Sequence, residues 1–377
     1  LYEGYNYSDN PVIRFHNNQV IDGKRILIIK LRHHSDVLLS MPVVDALKTR
    51  FPNCEIDMLV YAGTGQLIAD NPQIAQIFTI DRNWKKLSVF KQLACEKNLL
   101  SKLKARDYDW AFNLSDQWRA AIIAKLCARC SVGFDCIKRD GFWWRFCHDF
   151  INHELDTSHH IVENQLNILA PLIQPEDVAD AKVRLWVAQD ARESMWQKLR
   201  EQGWSGEDYV LLHPGTRWHF KCWEDGKNAA IVQLLLNSGQ NVVLTASHNT
   251  VEQYMLQEII GRLNIPEGRK VYVLSGCLSL RELAAAIEGT KLFVGVDSAP
   301  MHIAAALDKP QIALFGASWV DKWRPYSEEA EVIYAGDYAE LPHLDSIDTN
   351  DPTRLLKAIP LQDVWDRISA KLEALEA

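Results

Sequence analysis

Three short polar segments of this 377-residue chain each follow an apolar run, and the side chains of each suit a definable chemistry. The last of them, Asp297 to His302, lies between the runs LFVGV and QIALF. A turn that leaves a strand and opens a helix presents unpaired backbone N–H groups, which suit a phosphate. Asp297 and Ser298 are also good N-cap residues and Pro300 suits a first helical turn, so an ordinary capped helix is the alternative.

The middle segment, HPGTRWHFKCW, begins at His213 directly after the run YVLL. Thr216 offers a hydroxyl donor, and Arg217 and Lys221 offer positive charge. These groups suit a pyrophosphate whose negative charge grows as it leaves. A solvated basic loop is the simpler interpretation of the same residues.

The first segment is Arg32-His33-His34-Ser35-Asp36, which follows the run RILIIKL. It contains no GxGxxG, so a dinucleotide fingerprint is absent. Asp36 begins a predicted helix and is either its N-cap or a general base that takes a proton from a hydroxyl. His33 and His34 are rival bases.

Composition limits the class of protein. A chain of this length predicts two domains. A net charge of −8 and a pI near 5.9 argue against nucleic acid as the main partner. No run approaches the 18 or so apolar residues of a membrane span, and residues 1–23 lack the apolar core of a secretory signal.

Eight cysteines are scattered through predicted strands and helices, which indicates free thiols in a reducing cytoplasm. Cys127 and Cys130 are spaced as a CxxC pair, with Cys136 and Cys147 downstream. They form no second matched pair and no histidine stands at finger spacing, so a zinc site is disfavoured.

Apolar runs and helical patterns alternate along the chain and then begin again. The predicted strands are 25–31, 55–61, 76–80, 109–114, 184–186, 209–213, 241–245, 271–274, 292–296 and 311–315. The predicted helices are 37–50, 65–70, 85–104, 116–128, 158–172, 190–202, 228–237, 250–262, 279–288, 300–307 and 361–375, with residues 136–160 as an insertion or long loop. The pattern predicts an α/β protein with two Rossmann-like domains, 1–180 and 181–354, facing a central cleft. Residues 355–377 form an amphipathic helix that we expect to pack back on the N-terminal domain.

Taken in order, RHHSDVLLSMP, HPGTRWHFKCW and FVGVDSAPMHIAAALDKPQIALFG resemble the ADP-heptose:lipopolysaccharide heptosyltransferases of glycosyltransferase family 9. The resemblance spans roughly residues 24 to 330, and the third motif is the most specific. It implies a GT-B fold and an inverting glycosyltransferase without a cofactor or metal. The family usually has Gly where this chain has Ser35, which places the fit of the acceptor in question.

The resemblance also implies roles for individual residues. Asp36 matches the catalytic base, and Thr216, Arg217 and Lys221 fall among the groups that hold the donor phosphates, Lys221 also supporting departure of ADP. Asp297 matches the acidic residue that contacts donor sugar hydroxyls. The donor-binding turn corresponds to Ser298, Ala299, Pro300, Met301 and His302, and the acceptor-side candidates are Arg32, His33, His34 and Ser35.

On this basis heptose passes from ADP-L-glycero-D-manno-heptose to a heptose of the lipopolysaccharide inner core, at the cytoplasmic face of the inner membrane of a Gram-negative bacterium. The candidates for contact with anionic groups or the membrane surface are Lys85, Lys86, Lys102, Lys104, Arg139, Trp143, Trp144 and Arg145. Two alternatives remain: another nucleotide-sugar enzyme of the same fold, and a non-catalytic two-domain protein that binds a sugar or nucleotide.

Overall fold

In the computed structural model, residues 24–135, 139, 141–173, 178, 180–349 and 351–376 are described. The polar N-terminal segment 1–23 and Cys136 lie outside these residues. The chain divides after Arg184 into two compact units. Each unit contains one six-stranded sheet.

The first unit contains strands β1 to β6, and every neighbouring pair of strands is parallel. Their bounds are Arg25–Lys30, Glu55–Tyr61, Gln76–Ile80, Tyr108–Asn113, Ala128–Asp135 and Phe150–His153. The spatial order is β3-β2-β1-β4-β5-β6, the doubly wound arrangement. Its α-helices are His34–Leu38, Met41–Arg50, Val89–Lys104, Trp118–Cys127, Phe142–Phe146 and Ile161–Leu166.

The second unit repeats this topology with strands β7 to β12 in the order β12-β11-β10-β7-β8-β9, again all parallel. Their bounds are Tyr209–His213, Asn241–Ala246, Val271–Ser275, Leu292–Val296, Gln311–Phe315 and Ala330–Tyr334. Its α-helices are Gln189–Arg200, Asp225–Asn237, Thr250–Ile260, Leu280–Glu288, Ala299–Ala306, Val320–Trp323 and Leu361–Glu376.

Continuous apolar runs explain the central strands, because a strand of a parallel sheet is covered on both faces. In β1 every residue after Arg25 is buried, and all of β7, β10 and β11 is buried. The order of strands reverses between β1 and β4 in the first unit and between β7 and β10 in the second. Such a switch point leaves a crevice at the carboxyl ends of the strands, where ligands bind.

The C-terminal helix Leu361–Glu376 is part of the second unit. Val364, Ile368 and Leu372 are buried in the core of the second unit, and the helix packs against the helix Asp225–Asn237. The preceding chain is fixed to the same unit, since Trp223 Nε1 donates to the carbonyl of Ile359 at 3.3 Å. The amphipathic pattern correctly predicted a helix with one buried face, and that face lies in the core of the second unit. Packing of the helix on the N-terminal domain stays a prediction.

Other differences from the sequence-based elements have local causes. The predicted helix 37–50 is two helices, because Pro42 has no N–H to donate to the turn before it. Residues 184–186 form no strand; the Arg184 guanidinium instead lies 3.2 Å from the Asp45 carboxylate. The supposed insertion 136–160 contains a short helix and β6, and strands β5 and β12 were not predicted.

Candidate functional site

The residues predicted to bind the donor meet at the switch point of the second sheet. His213 ends β7 and leads into the loop with Thr216 and Lys221, while Val296 ends the neighbouring strand β10 and leads into Asp297. Lys221 Nζ lies 2.6 Å from Oδ2 of Asp297. The topology of the sheet therefore brings the second and third sequence motifs together.

A third residue donates a hydrogen bond to the carboxylate of this ion pair. Ser318 follows β11, and its hydroxyl donates to the same Oδ2 of Asp297 at 2.6 Å. Asp297 and Ser318 are both buried, at 7% and 6% exposure. The indole of Trp218 covers the cation, with Lys221 Nζ 5.1 Å from the ring centroid. Sequence reasoning missed Ser318, which lies three residues after the end of β11 at Phe315.

Asp297 is not a helix cap, contrary to the simpler interpretation of this turn. The N-cap is Ser298, whose hydroxyl donates to the carbonyl of Val296 at 3.1 Å and makes no capping hydrogen bond. No side chain therefore caps the helix Ala299–Ala306, which suits an anionic ligand at its start. Ser298 and Ala299 are half-buried and can be reached, whereas Pro300, Met301 and His302 are buried.

The other residues of the middle segment differ in their exposure to solvent. Thr216 is half-buried and Arg217 is exposed, so both can meet a ligand. His213 is buried behind them, with Nδ1 2.8 Å from the Thr245 hydroxyl and Nε2 3.9 Å from the Glu252 carboxylate. Burial lowers the pKa of His213, so a neutral imidazole supports this loop from within.

The first motif lies at the switch point of the first sheet, after β1. The N-cap of the helix His34–Leu38 is His33, and Asp36 is the third helical residue rather than the cap. Oδ2 of Asp36 accepts a hydrogen bond from the backbone N–H of His33 at 3.3 Å. This contact orients the carboxylate while most of its acceptor capacity remains available.

Basic groups surround Asp36 at this edge. Arg32 pairs with Asp116 at 2.9 Å, and Asp116 follows β4, the neighbour of β1. Arg82 donates to the carbonyl of Arg32 at 3.3 Å and stacks over the ring of Tyr61 at 4.2 Å. Sequence reasoning missed Arg82, because nothing in its local pattern shows that it returns to the β1 edge.

Lys30 is a buried ammonium beneath the same edge. It ends β1, is 5% exposed, and donates to the carbonyl of Leu114 at 3.1 Å. Burial lowers the pKa of Lys30 to about 8, while the negative charge of Asp36 opposes that shift. A lysine that closes an otherwise apolar strand was the available signal, and it too was missed.

The two histidines of this motif differ in environment. His33 is exposed, whereas His34 is half-buried and its Nδ1 has no hydrogen-bond partner among the described residues. Burial, with the positive charges of His33 and Arg82, lowers the pKa of His34. Ser35 lies in the helix and is not among the described residues with positive φ, so this position does not need glycine for its backbone conformation.

Metal ligation finds no support among the described residues, where no group of three or more His, Cys, Asp or Glu side chains is placed to hold an ion. Cys127 and Cys130 are buried, and burial raises their thiol pKa values to about 11 and about 12. Cys136, the third member of the candidate set, lies outside the described residues.

Comparison with known proteins places this geometry in a family. Residues 97–353 match the family model described as glycosyltransferase family 9 (heptosyltransferase). Lipopolysaccharide heptosyltransferase 3 of Escherichia coli is 34% identical over 338 residues, which are 89% of this chain and 95% of that protein. The segments KLRHHSDVLLSMPV and EIDMLVYAGTGQLIADNPQI favour the same branch of the family.

Solved structures share the fold. The glycosyl transferase family 9 protein from Veillonella parvula DSM 2008 aligns with a TM-score of 0.80 and 20% identity, over 95% of this chain and 99% of that one. The ADP-heptose lps heptosyltransferase II of E. coli aligns with a TM-score of 0.73 and 22% identity, over 94% of this chain and 100% of that one. The fold is that of the GT-B glycosyltransferases. The chain belongs to glycosyltransferase family 9, the heptosyltransferase family.

Proposed function

We propose that this glycosyltransferase moves heptose from ADP-L-glycero-D-manno-heptose to a heptose of the lipopolysaccharide inner core, with inversion at the anomeric carbon. The observation that carries the donor assignment is the cluster of Lys221, Asp297 and Ser318 beside an uncapped helix start. It combines a cation and backbone N–H groups for a diphosphate with a carboxylate for sugar hydroxyls. The relatives named for ADP-heptose and lipopolysaccharide support the same donor and acceptor.

The proposed reaction is a single displacement. Asp36 takes the proton of the acceptor hydroxyl, whose oxygen bonds to the anomeric carbon as the bond from that carbon to the β-phosphate oxygen breaks. The transition state resembles an oxocarbenium ion, as in glycoside hydrolysis. Lys221 and the helix start stabilise the charge that develops on ADP. These positive groups take the place of a metal, so we expect transfer to survive treatment with EDTA.

The acceptor side of the proposal is the edge that carries Asp36, Arg32, His33, His34 and Ser35. A phosphorylated inner core is anionic, and Arg82 adds positive charge to that edge. Because the acceptor is attached to lipid, we place the protein at the cytoplasmic face of the inner membrane of a Gram-negative bacterium. No helix among the described residues is long and apolar enough to cross a membrane.

Transfer of labelled heptose from ADP-heptose to lipopolysaccharide truncated in the inner core tests the proposal. We expect a labelled product with ADP-heptose and none with UDP- or GDP-sugars. Product formed from another nucleotide sugar alone would assign a different donor. Donor binding without any product, over a series of truncated acceptors, would favour the non-catalytic alternative.

A further inference from the structure

Unit 1 exposes large apolar side chains on three of its helices. We call six of these residues the apolar face: Phe90, Leu93, Trp118, Ile122, Phe142 and Trp143. Their exposed fractions range from 42% for Trp118 to 86% for Phe90. Single exposed apolar residues are ordinary, but a contiguous group of this size marks an interaction surface.

The helix Trp118–Cys127 is apolar on both sides. Ile123 faces the core, whereas Trp118, Ile122 and Leu126, spaced by four, lie on one outer stripe and are between 42% and 48% exposed. A helix that is apolar all round is normally covered on every side. We therefore expect another molecule to cover the outer stripe when the protein functions.

The short helix Phe142–Phe146 is fixed so that its aromatic rings point outward. Trp144 is its anchor, 1% exposed, and its Nε1 donates to the carbonyl of Phe134 at 2.7 Å. Phe142 and Trp143 are 72% and 69% exposed on the opposite side. The sequence-based grouping of Trp144 with the surface residues is therefore wrong, because this indole holds the helix to the fold.

The three helices are neighbours. The rings of Trp118 and Trp144 meet edge to face with centroids 5.4 Å apart, and an ion pair between Arg119 and Glu96 joins the second helix to the helix Val89–Lys104. The three helices that carry the apolar face therefore lie next to one another.

The net charge of these three helices is opposite in sign to that of the whole chain. They carry seven lysines and arginines and one acidic residue, Glu96, whereas the chain as a whole has a net charge of −8. The basic residues are Lys91, Lys97, Lys102, Lys104, Arg119, Lys125 and Arg145, of which the last three pair with Glu96, Asp149 and Asp135. Apolar rings bordered by basic side chains suit the interface of a bilayer with anionic headgroups.

The position of the face fits a lipid-linked substrate. The exposed apolar residues of Val89–Lys104 lie in its first turns, after β3, and Trp118 begins the helix that follows β4. In a parallel α/β sheet these helix starts lie at the carboxyl edge, the edge that also carries Asp36 after β1.

We propose that the apolar face docks on the surface of a bilayer that contains anionic phospholipid. Phe90, Leu93, Phe142 and Trp143 enter the headgroup region and the surrounding lysines and arginines contact phosphate. The proposed docking involves only the surface of unit 1 and does not depend on the sugar that is transferred.

Sedimentation of the full chain with vesicles tests this proposal. Vesicles of phosphatidylethanolamine and phosphatidylglycerol should retain the protein at low salt, and pure phosphatidylcholine vesicles should retain much less. Phe90→Ser with Trp143→Ser should lower the partition coefficient by roughly tenfold or more. Lys91→Glu with Lys97→Glu should lower it on anionic vesicles alone, and high salt should have the same effect.

The matched control is Val251→Ser with Tyr254→Ser, which removes two apolar side chains of 45% and 62% exposure from the second unit. It should bind vesicles like the unmodified protein, and circular dichroism checks that all variants fold. Equal loss in the control, or no loss in the Phe90 and Trp143 variant, would overturn the proposal. A concentration-dependent dimer in light scattering that this variant abolishes would assign the face to self-association instead. Transfer to a soluble acceptor measures the proposed activity separately.

Discussion

Lys221 Nζ lies 2.6 Å from Oδ2 of Asp297, the oxygen that also accepts the hydroxyl of Ser318. One carboxylate oxygen of the second unit therefore holds both donors. The cation that we propose for the donor diphosphate is paired with a neighbouring anion. A bound diphosphate has to share this ammonium with Asp297, so the two residues give different predictions.

Asp297→Asn removes a negative charge and keeps the size of the side chain. We expect ADP affinity to be unchanged or increased by up to about tenfold, because Lys221 no longer faces a competing anion. Transfer should fall by about a hundredfold or more, since Lys221 is no longer positioned and a sugar contact is lost. Calorimetric titration with ADP and the transfer assay separate the two effects. Weaker ADP binding would contradict this division of roles.

Lys221→Met should weaken ADP binding and transfer together, because the lost cation contacts phosphate in both the bound and the transition state. Lys270→Met is a matched control: Lys270 is also paired, with Glu207 at 3.1 Å, but precedes β9 at the opposite edge of the sheet. ADP affinity and transfer should be unchanged in that control. An equal loss in both variants would mean that the effect of Lys221 is one of general stability.

Ser318→Ala removes one of the two donors to Asp297. The remaining carboxylate is buried and loses a charge-assisted hydrogen bond, which is worth about 1.5–3 kcal/mol. We expect kcat/KM to fall by roughly tenfold to a hundredfold, with ADP affinity nearly unchanged. Ser318→Thr keeps the hydroxyl and should restore part of the activity. Failure of Thr to restore any activity would argue against a role through this hydrogen bond.

The site residues that could be predicted are those that follow a recognisable strand in the sequence. Asp36, Thr216 and Asp297 each stand a short turn after an apolar run, so their place at a sheet edge follows from the pattern alone. Lys221 lies farther along the loop that follows β7. Ser318 could not be assigned, because its partner is distant in sequence and the contact depends on β11 lying beside β10.

The fold was predictable where strands are buried on both faces, as in β7, β10 and β11, whose predicted bounds match the structure. It was not predictable at the margins of the sheets. The edge strand β6 has four residues and alternating burial, and β12 has one fully buried residue, so neither shows a continuous apolar run. The C-terminal helix shows a different limit: its pattern gives a buried face but not the surface that covers it.

Asp36→Asn tests the proposed base with little disturbance of the backbone. The amide oxygen can still accept from the N–H of His33, so the helix start is retained. We expect kcat to fall by about 10²–10⁴ while ADP affinity and the unfolding midpoint stay close to those of the unmodified protein. His33→Gln and His34→Gln are the comparison variants for the rival bases. Full activity in the Asp36 variant together with loss in one histidine variant would transfer the role to that histidine.

Lys30 gives a prediction for stability against pH. Burial lowers its folded pKa to about 8, below the ordinary value of 10.5, so between these values the unfolded chain binds more protons than the folded one. Raising the pH through this window therefore favours folding at this residue, and the charged form opposes folding below it. Lys30→Met removes the titration, and the free energy of unfolding of the unmodified protein should gain on that of the variant by on the order of 3 kcal/mol from pH 7 to 10.5. Urea unfolding at several pH values measures this gain.

The exposed Lys86→Met is the control and should show no such trend, because its side chain meets water in both states. A constant difference between the unmodified protein and Lys30→Met across the window would mean that Lys30 titrates as an ordinary lysine.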